Sequence, residues 1–346
     1  MMNFFDKLKR TFIIAEIGVN HNGNMILAKK MIKAAKLCGA DAVKFQTFSA
    51  DKLVSKKTPK VPYQRLNSPK NESHFDMIRK LEFKKKDHIS IIRYCKKLKI
   101  LFISTPYDVE SAKFLEKINI KIFKTASADI TDLFLHNFLS KTKQPVIIST
   151  GMANMNEISE VLKIYKKNKK KNISLLHCVS NYPCKNSSIN MRAMELIKSF
   201  NYTTGYSDHS SGSAAAILSI ALGGKIIEKH FTTNKKLPGP DQKASSDPKE
   251  FKKLVSHIRE AEIILGKKEK NLQNEERQMH KISRKSVFTK VNIFKKEKIT
   301  FNKLKLLRPG YGISYKDVRN YIGKTAKINI KANTNLTKNF LKKYAK

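Results

Sequence analysis

The chain has 346 residues, 40% of them apolar, enough for one large core and a small second one. Its 70 Lys and Arg against 28 Asp and Glu leave a net charge of +42, which raises nucleic acid as a partner. The basic residues are spread along the whole length and carry no recognition motif, so a specific nucleic-acid reader is disfavoured, while a positive surface still steers anionic substrates. No stretch of about 20 apolar residues offers a membrane span, and Met1–Arg10 lacks the apolar run of a secretion signal. The four cysteines, Cys38, Cys95, Cys178 and Cys184, form no C-x-x-C pair, which argues against a cysteine-built zinc site and suits a reducing cytoplasm.

Along the chain, short β-branched runs alternate with segments of helical spacing. Eight runs read as strands: Phe12–Ile17, Ala42–Thr47, Ile100–Thr105, Lys121–Ala126, Pro145–Thr150, Ile173–Cys178, Thr203–Ser207 and Lys225–Lys229. Helical spacing marks Ile26–Cys38, Lys86–Leu98, Val109–Lys117, Met155–Tyr165, Asn190–Phe200 and Ser213–Leu222, and later Lys249–Leu265. This alternation predicts an α/β fold, a (β/α)8 TIM barrel over residues 1–265. The rival, a doubly wound open sheet, lacks its G-x-G-x-x-G turn. Asp51–Lys80, with Pro59, Pro62 and Pro69, interrupts the rhythm and reads as a lid over the barrel mouth. Residues 266–282 read as a polar linker. Residues 283–346 read as a small, mostly β domain with strands Ser286–Thr289, Leu304–Leu307 and Ala326–Ile330.

Catalytic groups of a barrel enzyme gather at the C-terminal ends of its strands. Here all eight ends are polar: Glu16; Lys44 and Gln46; Ser104 and Thr105; Lys124 and Ser127; Ser149 and Thr150; His177 and Ser180; Ser207, Asp208 and His209; Glu228 and His230. Lys44 and Lys124 supply positive charge, and Ser127, Ser149 and Ser207 hydroxyl donors, for a phosphate or carboxylate. The alternative is a salt bridge inside the barrel to Glu16 or Glu228. His209 and His230, on adjacent strands, are placed to share a divalent metal with open positions for water and substrate, or else to be hydrogen-bonded core residues. His21 is a further candidate to cap or line the pocket.

Specific motifs then accumulate: AEIGVNHNGN at Ala15–Asn24, AVKFQTF at Ala42–Phe48, STPYD at Ser104–Asp108, KTASAD at Lys124–Asp129, ISTGMA at Ile148–Ala153 and LLHCVSNYP at Leu175–Pro183. With GYSDHSSG at Gly205–Gly212, IEKHFT and LPGPDQKAS within Ile227–Ser245, and RPGYGIS at Arg308–Ser314, the chain resembles the sialic acid synthase family over nearly its whole length. The resemblance implies a cytoplasmic enzyme that joins phosphoenolpyruvate to an open-chain N-acetylated amino sugar, such as N-acetylmannosamine, giving a nonulosonic acid and phosphate. Legionaminic and pseudaminic acid synthases are the alternatives. It also implies that Lys44, Thr105, Lys124, Ser127, Ser149 and Ser207 hold phosphoenolpyruvate. His209 and His230 would bind Mn²⁺ or Mg²⁺, and Glu16 would handle protons. Gln46, Tyr182 and Asp241 would contact the sugar. Asp129 and Ser180 depart from the family's usual Glu and Asn near the substrates, which bears on sugar preference. Asn71 is the nearest counterpart of a family lid asparagine. The tail resembles the family's antifreeze-like (SAF) domain, whose Arg308 would reach the barrel of a partner in a domain-swapped homodimer.

Overall fold

The computed structural model describes residues 3–69 and 71–346. They form two compact units, Met1–Gly266 and Lys267–Lys346.

In the first unit eight parallel strands close into a barrel in chain order: β1 Phe12–Gly18, β2 Ala42–Thr47, β3 Leu101–Pro106, β4 Phe123–Thr125, β5 Val146–Ser149, β6 Ile173–Cys178, β7 Thr203–Asp208 and β8 Ile226–His230. The connecting helices are α1 Met25–Leu37, α2 Ala50–Leu53, α3 Pro62–Asn67, α4 His74–Leu81, α5 Lys85–Lys97, α6 Val109–Lys117, α7 Leu133–Lys141, α8 Met155–Lys167, α9 Ala193–Lys198, α10 Ala214–Ala221 and α11 Pro248–Leu265. Asparagine and aspartate caps start several of them. The Asn24 side chain accepts from the Ile26 and Leu27 amides, and Asp247 accepts from the Glu250 amide with Pro248 in the first turn. The predicted lid is helical rather than a loop: α2, α3 and α4 all fall within or beside it. The helix α7 had no counterpart in the sequence reading, and the helix expected over Asn190–Phe200 is confined to Ala193–Lys198.

Strand alternation sorts the side chains into two shells. Ile13, Ala15, Ile17, Val43, Phe45, Ile148 and Ile227 face outward and pack under the helices. Phe12, Ile14, Ala42, Ile103, Ile122, Ile147, Leu176 and Ile226 fill the lower barrel interior, where Phe5 of the short turn Phe5–Lys7 joins them. One step further along the strands the inward positions become Glu16, Lys44, Thr105, Lys124, Ser149, Ser207 and Glu228, so the interior changes from apolar to charged within two residues. At Gly205 a methyl group would press into the Ile226 carbonyl and the Leu176 side chain, so only glycine lets β7 approach its neighbours this closely.

The second unit holds α12 Arg277–Ser283, an antiparallel pair of β9 Ser286–Thr289 and β10 Leu304–Leu307, and two more short helices, α13 Tyr315–Val318 and α14 Lys338–Tyr344. Its own core joins Val287, Ile293, Ile313, Val318, Leu336 and Leu341. Two sequence expectations need correction. Residues Ala326–Ile330 form no strand and contribute only isolated bridges, Ala326 to Ala345 and Ile330 to Ile293. The segment read as a linker, 266–282, carries most of α12. Among the described residues no helix is long and apolar enough to cross a membrane.

Between β7 and β8, on the outer face, lies a buried ion pair. Lys229 Nζ donates to Asp208 Oδ2 at 2.8 Å and to the carbonyls of Ser210 at 2.5 Å and Gly212 at 3.3 Å. Asp208 Oδ1 accepts from the Ser210 amide and hydroxyl at 2.8 and 2.6 Å. This clamp fixes the turn that follows β7, and with it the residue between, His209. Breaking one side strands a buried charge, at a cost of about 3–5 kcal/mol. Lys229→Met is therefore expected to lower unfolding stability by that order in urea titration, and the double variant Lys229→Met/Asp208→Asn to recover part of the loss. A single variant within about 0.5 kcal/mol of the parent, the range of an ordinary surface change, would show that the clamp does not hold the turn.

Candidate active site

A cavity of about 480 Å³ opens at the C-terminal ends of the strands, and Glu16, Lys44, Gln46, Lys124, Ser127, Ser149, Ser180, Tyr182, Ser207, His209, His230 and Asp241 all line it. Twelve side chains that stand far apart in the sequence are thus brought to one space by barrel closure alone. Thr105 and Asp129 are not on its wall. Thr105 lies just beneath, its hydroxyl accepting from Lys44 Nζ at 3.0 Å. Asp129 sits in the turn Ser127–Thr131 with Oδ2 buried and without a partner among the described residues. Burial and the nearby Asp132 push its carboxyl up to about 7. Arg308 follows β10 in the second unit. His21 is not on the wall either. It stacks on Phe83 at 3.7 Å between ring centres, and burial pushes it down to about 3, so it is a neutral core residue. Asn71 is exposed and lies off the wall.

The floor is a cluster of four buried charges. Lys44 Nζ lies 3.0 Å from Glu16 Oε1 and 3.8 Å from Glu228 Oε1, and Lys124 Nζ lies 3.7 Å from Glu228 Oε1. Lys124 also donates to Ser149 Oγ at 2.5 Å and to the Thr125 carbonyl at 3.0 Å. Ser207 donates to Glu228 Oε1 at 3.0 Å, and Gln46 Nε2 to Glu16 Oε1 at 3.2 Å. The salt-bridge alternative is therefore present, and it occupies the same lysines that face the cavity. Burial raises the Glu16 carboxyl above its usual range, the attraction of Lys44 only partly opposing it. For Glu228 burial acts the same way, but Lys124 and Lys44 outweigh it and hold the carboxylate ionised. Burial lowers Lys124, so its charge is sustained mainly by Glu228. Glu228 was named from the sequence as a strand-end residue and possible ion-pair partner, yet its bridging place between both lysines appears only once the barrel closes.

Above this floor stand His209 and His230, their ring centres 5.4 Å apart and 67° between planes. His209 Nδ1 donates to the Val179 carbonyl at 2.8 Å, which leaves Nε2 with its lone pair. Cys178 Sγ lies 3.5 Å from the same Nδ1. His230 Nδ1 is buried without a partner among the described residues, as are Glu16 Oε2 and Glu228 Oε2. Burial and the neighbouring His209 hold His230 well below its ordinary range, so it is a neutral imidazole suited to ligation. The two imidazoles fit as protein ligands of a divalent cation. Among the described residues no three His, Cys, Asp or Glu side chains stand in a ready-made cluster, so substrate and water oxygens would complete the shell.

The serine wall is set by a close backbone approach. The Gly151 amide donates to Ser127 Oγ at 3.1 Å, and a methyl group on Gly151 would stand 2.7 Å from that oxygen. Across the cavity Tyr182 packs on His209 at 4.1 Å and on Tyr63 of α3 at 5.2 Å between ring centres. Asn67 Nδ2 donates to the Pro240 carbonyl at 3.3 Å, tying α3 to the segment that carries Asp241. Burial pushes Asp241 up to about 6, opposed by the Tyr63 hydroxyl beside it. The remaining roof is apolar, with Val19, Phe48, Leu53, Ile78 and Leu81 on the wall. Tyr63, Gln64, His74 and Tyr107 also line the cavity and were not singled out from the sequence. Three of them lie on the insert, where no strand position marks a side chain as inward.

The chain is similar to known proteins over most of its length. The model of the NeuB family matches residues 31–270. N,N′-diacetyllegionaminic acid synthase of Campylobacter jejuni subsp. jejuni serotype O:2 is 42% identical over 94% of this chain and 98% of its own length. Pseudaminic acid synthase of Helicobacter pylori is 34% identical over 94% of this chain and 96% of its own. Among solved structures, N-acetylneuraminic acid synthetase of Leptospira borgpetersenii serovar Hardjo-bovis, in complex with citrate, superposes with a TM-score of 0.69 at 35% identity, covering 78% of this chain and 90% of that one. On the family match and on these identities, the chain belongs to the NeuB family.

Proposed function

We propose that this protein condenses phosphoenolpyruvate with the open-chain aldehyde of an N-acetylated amino sugar, giving a nine-carbon 2-keto acid and phosphate. The observation that carries this reading is the floor of the cavity: two buried lysines with Ser127, Ser149 and Ser207 around them, below the His209–His230 pair. Lys44 and Lys124 place charge where the phosphate and carboxylate of phosphoenolpyruvate lie, and the serines bind the remaining oxygens. Mn²⁺ or Mg²⁺ held by His209 and His230 would polarise the aldehyde carbonyl. Carbon 3 of phosphoenolpyruvate bonds to the aldehyde carbon, whose oxygen takes the proton that Glu16 holds, leaving Glu16 ionised. The cationic character left at carbon 2 is stabilised by Glu228 and Glu16. Water adds at carbon 2, and its proton passes to Glu16, whose raised affinity suits it to receive one. The carbon–oxygen bond to phosphate then breaks, the carbon 2 hydroxyl gives its proton to the departing phosphate, and the 2-keto group is left. Gln46, Ser180, Tyr182 and Asp241 hold the sugar, while Thr105 and Asp129 support the wall from behind.

The relatives support one reading of the acceptor. The product named for the 42%-identical protein carries two N-acetyl groups. Three of the nine carbons come from phosphoenolpyruvate, so both acetamido groups belong to the six-carbon acceptor. This favours the legionaminic alternative over N-acetylmannosamine as the preferred substrate. The second unit is read as the SAF domain of a cytoplasmic, domain-swapped homodimer, with Arg308 serving the partner's barrel.

Two experiments test these readings. Metal-stripped enzyme, supplied with phosphoenolpyruvate and either N-acetylmannosamine or a six-carbon aldehyde bearing two acetamido groups, is assayed for phosphate release. Turnover is expected only after Mn²⁺ or Mg²⁺ is restored, and faster with the doubly acetylated acceptor. Full activity without metal, or no release with any amino-sugar aldehyde, would refute the reading. For assembly, inactive Lys124→Ala and Arg308→Ala proteins are mixed under subunit exchange. Partial recovery is expected, because one site of each heterodimer would hold both residues. Heterodimers with no activity would place Arg308 elsewhere.

A further inference from the structure

The insert between β2 and α5 contributes a wall that the reaction as derived does not use. His74 opens α4 and lines the cavity. Its Nδ1 is buried and has no hydrogen-bond partner among the described residues. Ile78 and Leu81 follow at i+4 and i+7, on the same helix face, and both line the cavity with it. Gln64 of α3 lies on the same wall; its Oε1 accepts from the Val61 amide at 3.3 Å and its NH₂ donates to the Tyr63 hydroxyl, which leaves a second N–H to donate. Leu53 completes the surface.

A buried nitrogen without a partner is costly unless a ligand supplies the donor. Burial and the Lys60 charge both lower the basicity of His74, so the ring is neutral and one nitrogen accepts. The wall therefore offers one acceptor, one donor and an apolar strip. An acetamido group presents the complement: an N–H, a carbonyl oxygen and a methyl. A hydroxyl donates and accepts through a single oxygen but carries no methyl, so it leaves the apolar strip uncovered. Gln46, Tyr182 and Asp241, the sugar contacts already assigned, come from β2, the loop after β6 and the loop after β8, whereas His74, Ile78 and Leu81 come from α4.

We propose that His74 and Gln64, with Ile78, Leu81 and Leu53, form a subsite for the second acetamido group of the acceptor, and that His74 sets the preference for doubly over singly acetylated sugars. This rests on the acceptor reading above. A site built to pair a polar group discriminates strongly against a ligand that lacks the partner.

The test is kcat/KM for both acceptors, at saturating phosphoenolpyruvate and Mn²⁺, in the parent, His74→Phe and His74→Gln. His74→Phe is expected to lower kcat/KM for the doubly acetylated acceptor about tenfold or more. N-acetylmannosamine should change by less than about threefold, a contact it does not make, with the KM for phosphoenolpyruvate unmoved. His74→Gln, which restores an acceptor oxygen, should recover most of the loss. A parent that favours N-acetylmannosamine would overturn the acceptor reading and the subsite together. A parent preference that persists in His74→Phe, or an equal loss on both acceptors with no recovery in His74→Gln, would overturn the subsite alone.

Discussion

Four charges share the centre of the barrel with almost no water around them: Glu16, Lys44, Lys124 and Glu228 are each 4% exposed or less. Removing such groups from water costs several kcal/mol per ion, and their mutual attraction offsets this only when each is closely partnered. They come from β1, β2, β4 and β8, so their partnership exists only in the closed barrel. With both carboxylates ionised the group is neutral. The burial that raises Glu16 makes it the member that takes up a proton, leaving an excess of positive charge. A phosphate and a carboxylate brought in by substrate meet that excess. The same cluster thus costs stability in the free protein and supplies binding in the complex.

The rest of the structure holds this arrangement in place. Below it the barrel is filled with isoleucine and phenylalanine, which keeps the strand spacing rigid and water out. Outside, the Lys229–Asp208 clamp fixes the turn bearing His209. Above, α3 and α4 close an apolar roof over a polar floor, so the anionic end and the acylated end of the reactants meet different chemistry within one cavity. Electrostatic preorganisation of this kind is worth most where solvent is excluded. The excess of surface lysine adds a long-range attraction for anionic substrate but no selectivity.

Much of this was legible before the fold was known, because strand periodicity assigns a side chain to a face. Once Ile14 and Ile226 read as inward, Glu16 and Glu228 two residues later must point the same way. Helix α7 escaped notice because the polar residues of LFLHNFLSK do not mark its outer face: His136 and Ser140 are buried while Leu133 and Phe134 are exposed. Ala326–Ile330 has the β-branched composition of a strand but pairs only through single bridges, since tertiary partners and not propensity decide pairing in so small a unit. His21 is hydrophilic by type yet belongs to an aromatic stack with Phe83 and Phe45. His74 and Gln64 could not be found from a pattern, because short proline-bounded helices on an insert acquire an inner face only by docking.

Initial-rate kinetics of Lys124→Ala test the central claim, that the buried charge cluster is the seat of the anionic substrate. A charged hydrogen bond contributes about 1.5–3 kcal/mol, or roughly 10- to 150-fold in binding. The account predicts a rise of that order in the KM for phosphoenolpyruvate, with the KM for the amino sugar moving less than about threefold. A rise confined to the amino-sugar KM, with phosphoenolpyruvate bound as in the parent, would contradict it.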